Sequence, residues 1–88
     1  MRKLSFNSQA QENIQDLLIS EHKLVKKIFN LIADIQKHPF EGIGKPEALK
    51  NNYSGYWSRR ITEKHRLVYQ INDEEIIIIA CKDHYDDK

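Results

Sequence analysis

The first half of the chain alternates between apolar and polar residues in a way that predicts one strand and two helices. Residues 2–7 alternate with Leu4 and Phe6 on one side, which is typical of a strand with one buried face. From Ser8, the expected N-cap with Gln11 three residues later, apolar residues recur at helical spacing to about residue 19. A second helical pattern extends from about residue 22 to residue 37. The positions expected in the core are Ala10, Ile14, Leu17, Leu18, Leu24, Val25, Ile28, Leu31, Ile32 and Ile35, whereas Lys23, Lys26, Lys27, Asp34 and Lys37 are expected to face outward.

The second half of the chain predicts loops and strands. His38-Pro39 ends the second helix, and a segment rich in glycine and proline follows, with a short turn expected at residues 46–49. Residues typical of strands flank Thr62-Glu63-Lys64 and predict a hairpin over residues 55–69. The apolar run at residues 76–81 predicts a last strand with both faces covered. The order β-α-α-β-β-β, in one domain over residues 1–88, indicates an α+β fold with two helices on one face of an antiparallel sheet.

The register of the predicted hairpin decides where its arginines point. A two-residue loop would place Arg60 opposite Leu67 and leave both faces mixed, whereas a three-residue loop or a bulge places Arg60 opposite Arg66. We favour the second register because it sorts the residues. One face then carries Tyr56, Ser58, Arg60, Arg66, Val68 and Gln70, and the other carries Trp57, Ile61, His65, Leu67, Tyr69 and Ile71, with Arg59 as a misfit. Like charges across a strand pair are destabilising, so this register indicates either an anionic ligand or local carboxylates that pair with the arginines.

The charge of the chain is concentrated in its middle. The net charge is only +1, but residues 23–66 contain ten lysines and arginines against four aspartates and glutamates, a balance of +6. Such a segment indicates a face that binds a polyanion, although exposed lysines on a helix contribute to the same count. Cys81 is the only cysteine, and no stretch predicts a membrane span or a signal peptide, so we expect a cytoplasmic protein. At 88 residues the core is small, and a partner chain or a dimer would add buried surface.

Six residues could supply chemistry around the polar face of the sheet: Glu47, Lys50, Arg60, Arg66, His84 and Tyr85. RNA cleavage without a metal needs a base that takes the proton of the 2′-OH, an acid that protonates the leaving 5′-oxygen, and cations that stabilise the pentacoordinate phosphate. DNA has no 2′-OH, so such a site would be specific for RNA. The histidines are scattered, and Cys81 and His84 would lie on opposite faces of an extended segment, so we expect no metal site and no cofactor.

A set of motifs in a defined order and spacing belongs to a match that covers nearly the whole chain and is densest from Pro39 onward. They are Pro39-Phe40-Glu41-Gly42, Gly44-Lys45-Pro46-Glu47, Leu49-Lys50, Ser54-Gly55, Trp57-Ser58-Arg59-Arg60-Ile61, His65-Arg66-Leu67-Val68-Tyr69 and His84-Tyr85. This set resembles the YoeB toxins, a family of the RelE/ParE superfamily of bacterial toxin–antitoxin systems. The resemblance implies a small RelE-like fold and a ribosome-dependent mRNA interferase that cuts the codon in the ribosomal A site and stops translation. It also implies a homodimer, neutralisation by a YefM-type antitoxin, and a toxin–antitoxin complex through which alone operator DNA is bound and the operon repressed.

The same resemblance implies a role for each matching residue. Glu47 corresponds to the general base, His84 to the general acid and Arg66 to the cation that stabilises the phosphate. Lys50, Arg60 and Tyr85 correspond to supporting positions of the site. Lys82-Asp83 departs from the best-known relatives, which have an arginine and an aromatic residue there. Two alternatives stay open: a ParE-like toxin that acts on a protein target without being a nuclease, and a catalytically silent co-repressor.

Overall fold

The computed structural model describes residues 2–83, and within that range five strands and two helices form the fold. The elements are β1 (Lys3–Phe6), α1 (Ser8–Ser20), α2 (Lys23–Lys37), β2 (Glu47–Ala48), β3 (Tyr56–Arg60), β4 (Arg66–Ile71) and β5 (Glu75–Ala80), with a 3₁₀ turn at Asn51–Tyr53. The strands form one sheet in the order β1-β5-β4-β3-β2, and both helices pack on one of its faces. The predicted α+β architecture is therefore confirmed.

The sheet is mixed rather than antiparallel, and it has one strand more than predicted. β1 pairs with β5 in parallel, with Leu4 opposite Ile76, whereas the other neighbouring strands are antiparallel. The expected turn at residues 46–49 instead contains β2, in which Glu47 pairs with Ser58. A pattern of alternation predicts that a strand exists but does not choose its partner, and a two-residue strand is too short to alternate. Both differences therefore depend on contacts between distant parts of the chain.

The core lies between the helices and the sheet, and its members agree with the predicted stripes except in a few positions. Leu18 is 53% exposed, although its spacing predicts burial. Along β5 every second residue is buried, so Ile77 and Ile79 are only half-buried and the strand is not covered equally on both faces. The N-cap of α1 is Asn7 rather than Ser8, because the Asn7 side chain accepts a hydrogen bond of 2.9 Å from the Ala10 N–H. The buried core consists of Ala10, Leu17, Ile28, Leu31, Ile32, Ile35, Ile61, Leu67, Tyr69, Ile76, Ile78 and Cys81.

Arg59, the misfit on the apolar face, is fully buried. It forms an ion pair with Asp34 of α2, which corrects the expectation that Asp34 faces outward. Its Nε donates to the Tyr69 hydroxyl over 3.1 Å. Its remaining N–H groups donate to the carbonyl oxygens of His38, Glu41 and Ile43. These five bonds match the five N–H groups of a guanidinium, so the buried charge is fully hydrogen-bonded.

The Arg59 contacts attach the loop between α2 and β2 to the sheet. Within this loop Gly42 has a φ of +117°, and a Cβ there would collide with the Asp34 carboxylate. The hydrogen bond from Arg59 lowers the pKa of Asp34, so the ion pair stays charged at neutral pH. Since the loop leads directly into β2, Arg59 fixes the approach of the chain to Glu47.

Candidate functional site

The face of the sheet opposite the helices carries two arginines side by side. Arg60 of β3 pairs with Arg66 of β4, which confirms the register favoured from the sequence. The turn is closed by hydrogen bonds from the Ile61 and Thr62 N–H groups to the His65 carbonyl. The three-residue loop Thr62-Glu63-Lys64 therefore sets the register, and the sorting of the two faces follows from it.

Arg60 is more exposed than its buried neighbour Arg59 and has a weaker ion pair. Its side chain is 39% exposed, and its ion pair is a 3.5 Å contact with Glu63, a carboxylate that is itself 91% exposed. Its Nε is buried and has no hydrogen-bond partner within residues 2–83. An exposed ion pair of this kind contributes little stability, and the two arginines together with Glu63 still carry a net positive charge.

Arg66 is fixed in place by neutral groups. Its Nη1 donates to the carbonyl oxygens of Thr62, Glu63 and His65 at 2.6, 3.2 and 3.2 Å. No carboxylate in the described part of the chain lies within 4.0 Å of its guanidinium. The hairpin turn therefore orients this guanidinium without compensating its charge, which is the arrangement that stabilises an anion with little reorganisation.

Glu47 lies on the same face as the arginine pair. Glu47 pairs with Ser58, which lies two residues before Arg60 along β3. Since every second residue of a strand points to the same side, Glu47, Ser58 and Arg60 share one face of the sheet. Glu47 is exposed on the edge strand β2, and Lys50 follows as the exposed residue before the 3₁₀ turn. The structure thus brings Glu47, Arg60 and Arg66 to one face, with Lys50 at the edge of the sheet.

A cavity of about 520 Å³ opens beside Arg60, between α2, the loop before β2 and the hairpin turn. Its lining residues are Lys27, Asn30, Leu31, Ile43, Gly44, Lys45, Arg60, Ile61, Thr62 and Glu63. Three of them are cations and one is an acid. The positive surface therefore extends from the arginine pair towards α2, as expected for a face that binds a polyanion.

His84 and Tyr85 lie outside the described residues. The last described residue, Asp83, is next to the arginine pair, because its carbonyl oxygen accepts a 2.8 Å hydrogen bond from the Arg66 N–H. The predicted roles of His84 and Tyr85 stay predictions.

Metal and nucleophile chemistry find little support in the described part of the chain. Within residues 2–83 no group of three or more His, Cys, Asp or Glu side chains could hold a metal ion. Cys81 is buried, and its burial raises the pKa of the thiol to about 12, so it stays protonated at neutral pH. In the same range, no helix is both long and apolar enough to cross a membrane.

Two supporting residues were not identified from the sequence, Arg59 and His65. Both are charged or polar residues at positions of the hairpin that face the core. A signal was present for Arg59, because Asp34 lies between Leu31 and Ile35 in the apolar stripe of α2. An acid within a core stripe and an arginine on the core face of a strand together predict a buried pair.

The chain was compared with known proteins. Residues 6–85 match the family described as "YoeB-like toxin of bacterial type II toxin-antitoxin system". Toxin YoeB of Escherichia coli strain K12 is 58% identical over 66 residues, which cover 75% of this chain and 79% of that protein.

Solved structures agree with this match. The YoeB dimer from Staphylococcus aureus has a TM-score of 0.87 and 46% identity, covering 96% of this chain and 98% of that chain. The toxin chain of the heterotetrameric YoeB-YefM toxin-antitoxin complex from the same species has a TM-score of 0.85 and 45% identity, covering 97% and 99%. The chain therefore has the RelE-like fold and belongs to the family of YoeB-like toxins of bacterial type II toxin–antitoxin systems.

Proposed function

We propose that this toxin is a ribosome-dependent endoribonuclease that cuts mRNA in the ribosomal A site and thereby inhibits translation. The observation that carries the proposal is the Arg60–Arg66 pair, which places two cations side by side on the face that also carries Glu47. Like charges in such a pair destabilise the fold, so the pair is better explained by an anionic ligand than by a role in folding. The phosphodiester of RNA is the anion that the neighbouring groups could act upon.

The proposed reaction is a transfer of the phosphoryl group to the 2′-oxygen. Glu47 takes the proton of the 2′-OH, the 2′-oxygen bonds to the phosphorus, and the bond to the 5′-oxygen breaks as His84 donates a proton to it. The products are a 2′,3′-cyclic phosphate and a 5′-OH. Arg66, with Arg60 beside it, stabilises the charge on the pentacoordinate phosphate, while Lys50 and Tyr85 hold the substrate. No step requires a metal ion, because the guanidinium groups supply the positive charge.

The proposed partners follow from this activity and from the related structures. We expect mRNA as the substrate, the ribosome as the partner on which it is cut, and a cytoplasmic location in which both are present. The Staphylococcus aureus relative forms a dimer and a heterotetrameric complex with YefM. We propose the same types of assembly here: a homodimer, and a YefM-type antitoxin that neutralises the toxin and with it binds operator DNA.

A primer-extension assay on a defined mRNA tests the proposal. The wild-type chain is compared with His84→Gln, with and without programmed ribosomes. A cut inside the A-site codon is expected only with ribosomes and only with the wild type. Lys3→Gln serves as a charge control, because Lys3 lies on β1 at the opposite edge of the sheet from β2, and it should cut like the wild type.

Measurements of growth, mRNA cleavage and operon repression in cells distinguish the alternatives. Growth arrest in cells without any mRNA cut would contradict the nuclease proposal and favour a ParE-like action on a protein target. Repression of the operon without growth arrest, unchanged in His84→Gln, would favour a catalytically silent co-repressor.

A further inference from the structure

His65 joins two distant parts of the chain inside the core. Its side chain is 1% exposed. Its Nε2 lies 3.0 Å from a carboxylate oxygen of Glu21, at the end of α1. Its Nδ1 lies 2.7 Å from the backbone nitrogen of Asp83. One imidazole therefore connects the corner between α1 and α2 to the residue that directly precedes His84.

The partners of the ring determine its tautomer. A backbone N–H can only donate, so Nδ1 must accept the hydrogen bond from Asp83 and cannot carry a proton. The ring proton is then on Nε2, from which it is donated to the Glu21 carboxylate. The ring is neutral, and each of its nitrogens has one partner with a defined role.

The backbone that His65 contacts has an unusual conformation. Asp83 has a φ of +62°, a left-handed conformation that residues other than glycine seldom adopt. Two hydrogen bonds hold it there: its N–H donates to the His65 ring, and its carbonyl oxygen accepts from the Arg66 N–H. Such a conformation persists where the surrounding contacts fix it, and it sets the direction in which the chain leaves Asp83.

We propose that His65 is a positioning residue, whose Nδ1 fixes the backbone of Asp83 next to Arg66, at the point from which the chain continues to the expected general acid, His84. The inference rests on the proposed function, since His84 is the expected general acid. His65 faces the helices, as its contact with Glu21 shows, and Arg66, the next residue, faces the other side of the sheet. The hydrogen bond to Asp83 carries this role, and the hydrogen bond to Glu21 orients the ring.

Two substitutions separate these hydrogen bonds. In His65→Asn the side-chain oxygen can occupy the place of Nδ1, so the acceptor for Asp83 is kept and the contact with Glu21 is lost. In His65→Gln the amide can reach the place of Nε2, so the contact with Glu21 is kept and the acceptor for Asp83 is lost. Glu21→Gln is the control at the other end, because it keeps an acceptor for the Nε2–H.

The variants are compared by their single-turnover cleavage on programmed ribosomes, after thermal unfolding has shown that each is folded. His65→Gln should lower the cleavage rate about 10- to 100-fold, since a misplaced catalytic group affects the chemical step. The ribosome concentration that gives the half-maximal rate should not change. His65→Asn and Glu21→Gln should stay within about threefold of the wild type. A residue needed only for folding would instead make Asn and Gln equally harmful, and that result would overturn the proposal.

An NMR measurement on the free 88-residue chain tests the positioning independently of RNA cleavage. Long-range proton–nitrogen correlation should show a proton on Nε2 and none on Nδ1 of His65. The Asp83 amide should exchange slowly in the wild type and in His65→Asn, and faster in His65→Gln. If the wild type cuts no mRNA, the proposed function fails, but this pattern would still support the positioning of Asp83. A proton on Nδ1, or equal exchange of the Asp83 amide in both variants, overturns it.

Discussion

Arg59 and Arg60 are neighbours in one strand, yet they have opposite environments. Arg59 faces the helices, is fully buried, and has an acceptor for each of its N–H groups. Arg60 faces the side opposite the helices, lies opposite another arginine, and has a 3.5 Å contact with one exposed carboxylate. The alternation of side chains along a strand produces this division.

In the proposed function, neighbouring arginines of one dipeptide have separate roles in folding and in binding. Arg59 uses all its hydrogen-bonding capacity inside the protein, so it attaches the loop that leads to Glu47. Arg60 keeps capacity for an external anion, because its side chain is 39% exposed and its contact with Glu63 is 3.5 Å long. Each arginine can be tested by a substitution that leaves the other in place.

The largest effect on stability is expected for Arg59→Met. It leaves the Asp34 carboxylate and three loop carbonyls without their donor, and loss of one member of a buried ion pair typically costs about 3–5 kcal/mol. Urea unfolding of Arg59→Met and of the matched Arg60→Met measures the difference. We expect Arg60→Met to change the free energy of unfolding by less than about 1 kcal/mol, or to raise it, because a like-charge pair is removed. Equal losses in the two variants would contradict the division of roles.

The largest effect on activity is expected for Arg66 and Arg60. Arg66→Ala, and to a lesser degree Arg60→Met, should slow cleavage on programmed ribosomes by about 10²- to 10³-fold, as is typical when a donor to the transition state is removed. Melting temperatures should stay close to that of the wild type. A large loss of melting temperature in Arg66→Ala would instead assign it a structural role.

A smaller effect is expected for Gly42→Ala. Its Cβ would meet the Asp34 carboxylate and lie 3.3 Å from Nη1 of Arg59, and its φ of +117° is unfavourable for alanine. We expect a loss of about 1–3 kcal/mol in the free energy of unfolding. Gly55→Ala is the matched control, because Gly55 also has a positive φ but no atom within 4 Å of its Cβ position. Similar losses at both sites would mean that backbone strain alone acts and that the ion pair is not disturbed.

Among the substitutions that disturb the Arg59–Asp34 pair, the smallest effect is expected for Asp34→Asn, because asparagine keeps an oxygen that accepts from Arg59, and this effect depends on pH. Arg59 lowers the pKa of Asp34 in the folded state below its ordinary value of 3.8. A lowered native pKa stabilises the fold above the unfolded pKa, and this contribution is lost as the pH falls through the native pKa. The asparagine variant should be less stable by about 1–2 kcal/mol at pH 7, and the difference should shrink below about pH 4. Unfolding curves between pH 7 and pH 3 measure it, and a difference that stays constant with pH would contradict the ion pair.

The sequence was most informative where a local rule decides the structure. The Arg60–Arg66 register follows from the sorting of apolar and polar residues about a three-residue loop, and the structure confirms it. The parallel pairing of β1 with β5 and the short strand β2 were not predicted, since both depend on residues far apart in the chain. Asp34 was expected to face outward because its partner lies 25 residues away, and a helical pattern alone does not show that partner.

The chemical nature of the RNA ends is the measurement that tests the central claim most directly. An mRNA cut on programmed ribosomes should carry a 2′,3′-cyclic phosphate, or the phosphate that forms when it opens, on one fragment and a 5′-OH on the other. A single 2′-deoxy substitution at the cut site should abolish the cut, since the nucleophile is then absent. Fragments with a 3′-OH and a 5′-phosphate, or cleavage that survives the 2′-deoxy substitution, would show that water attacks the phosphorus and would contradict the proposed roles of Glu47, Arg66 and His84.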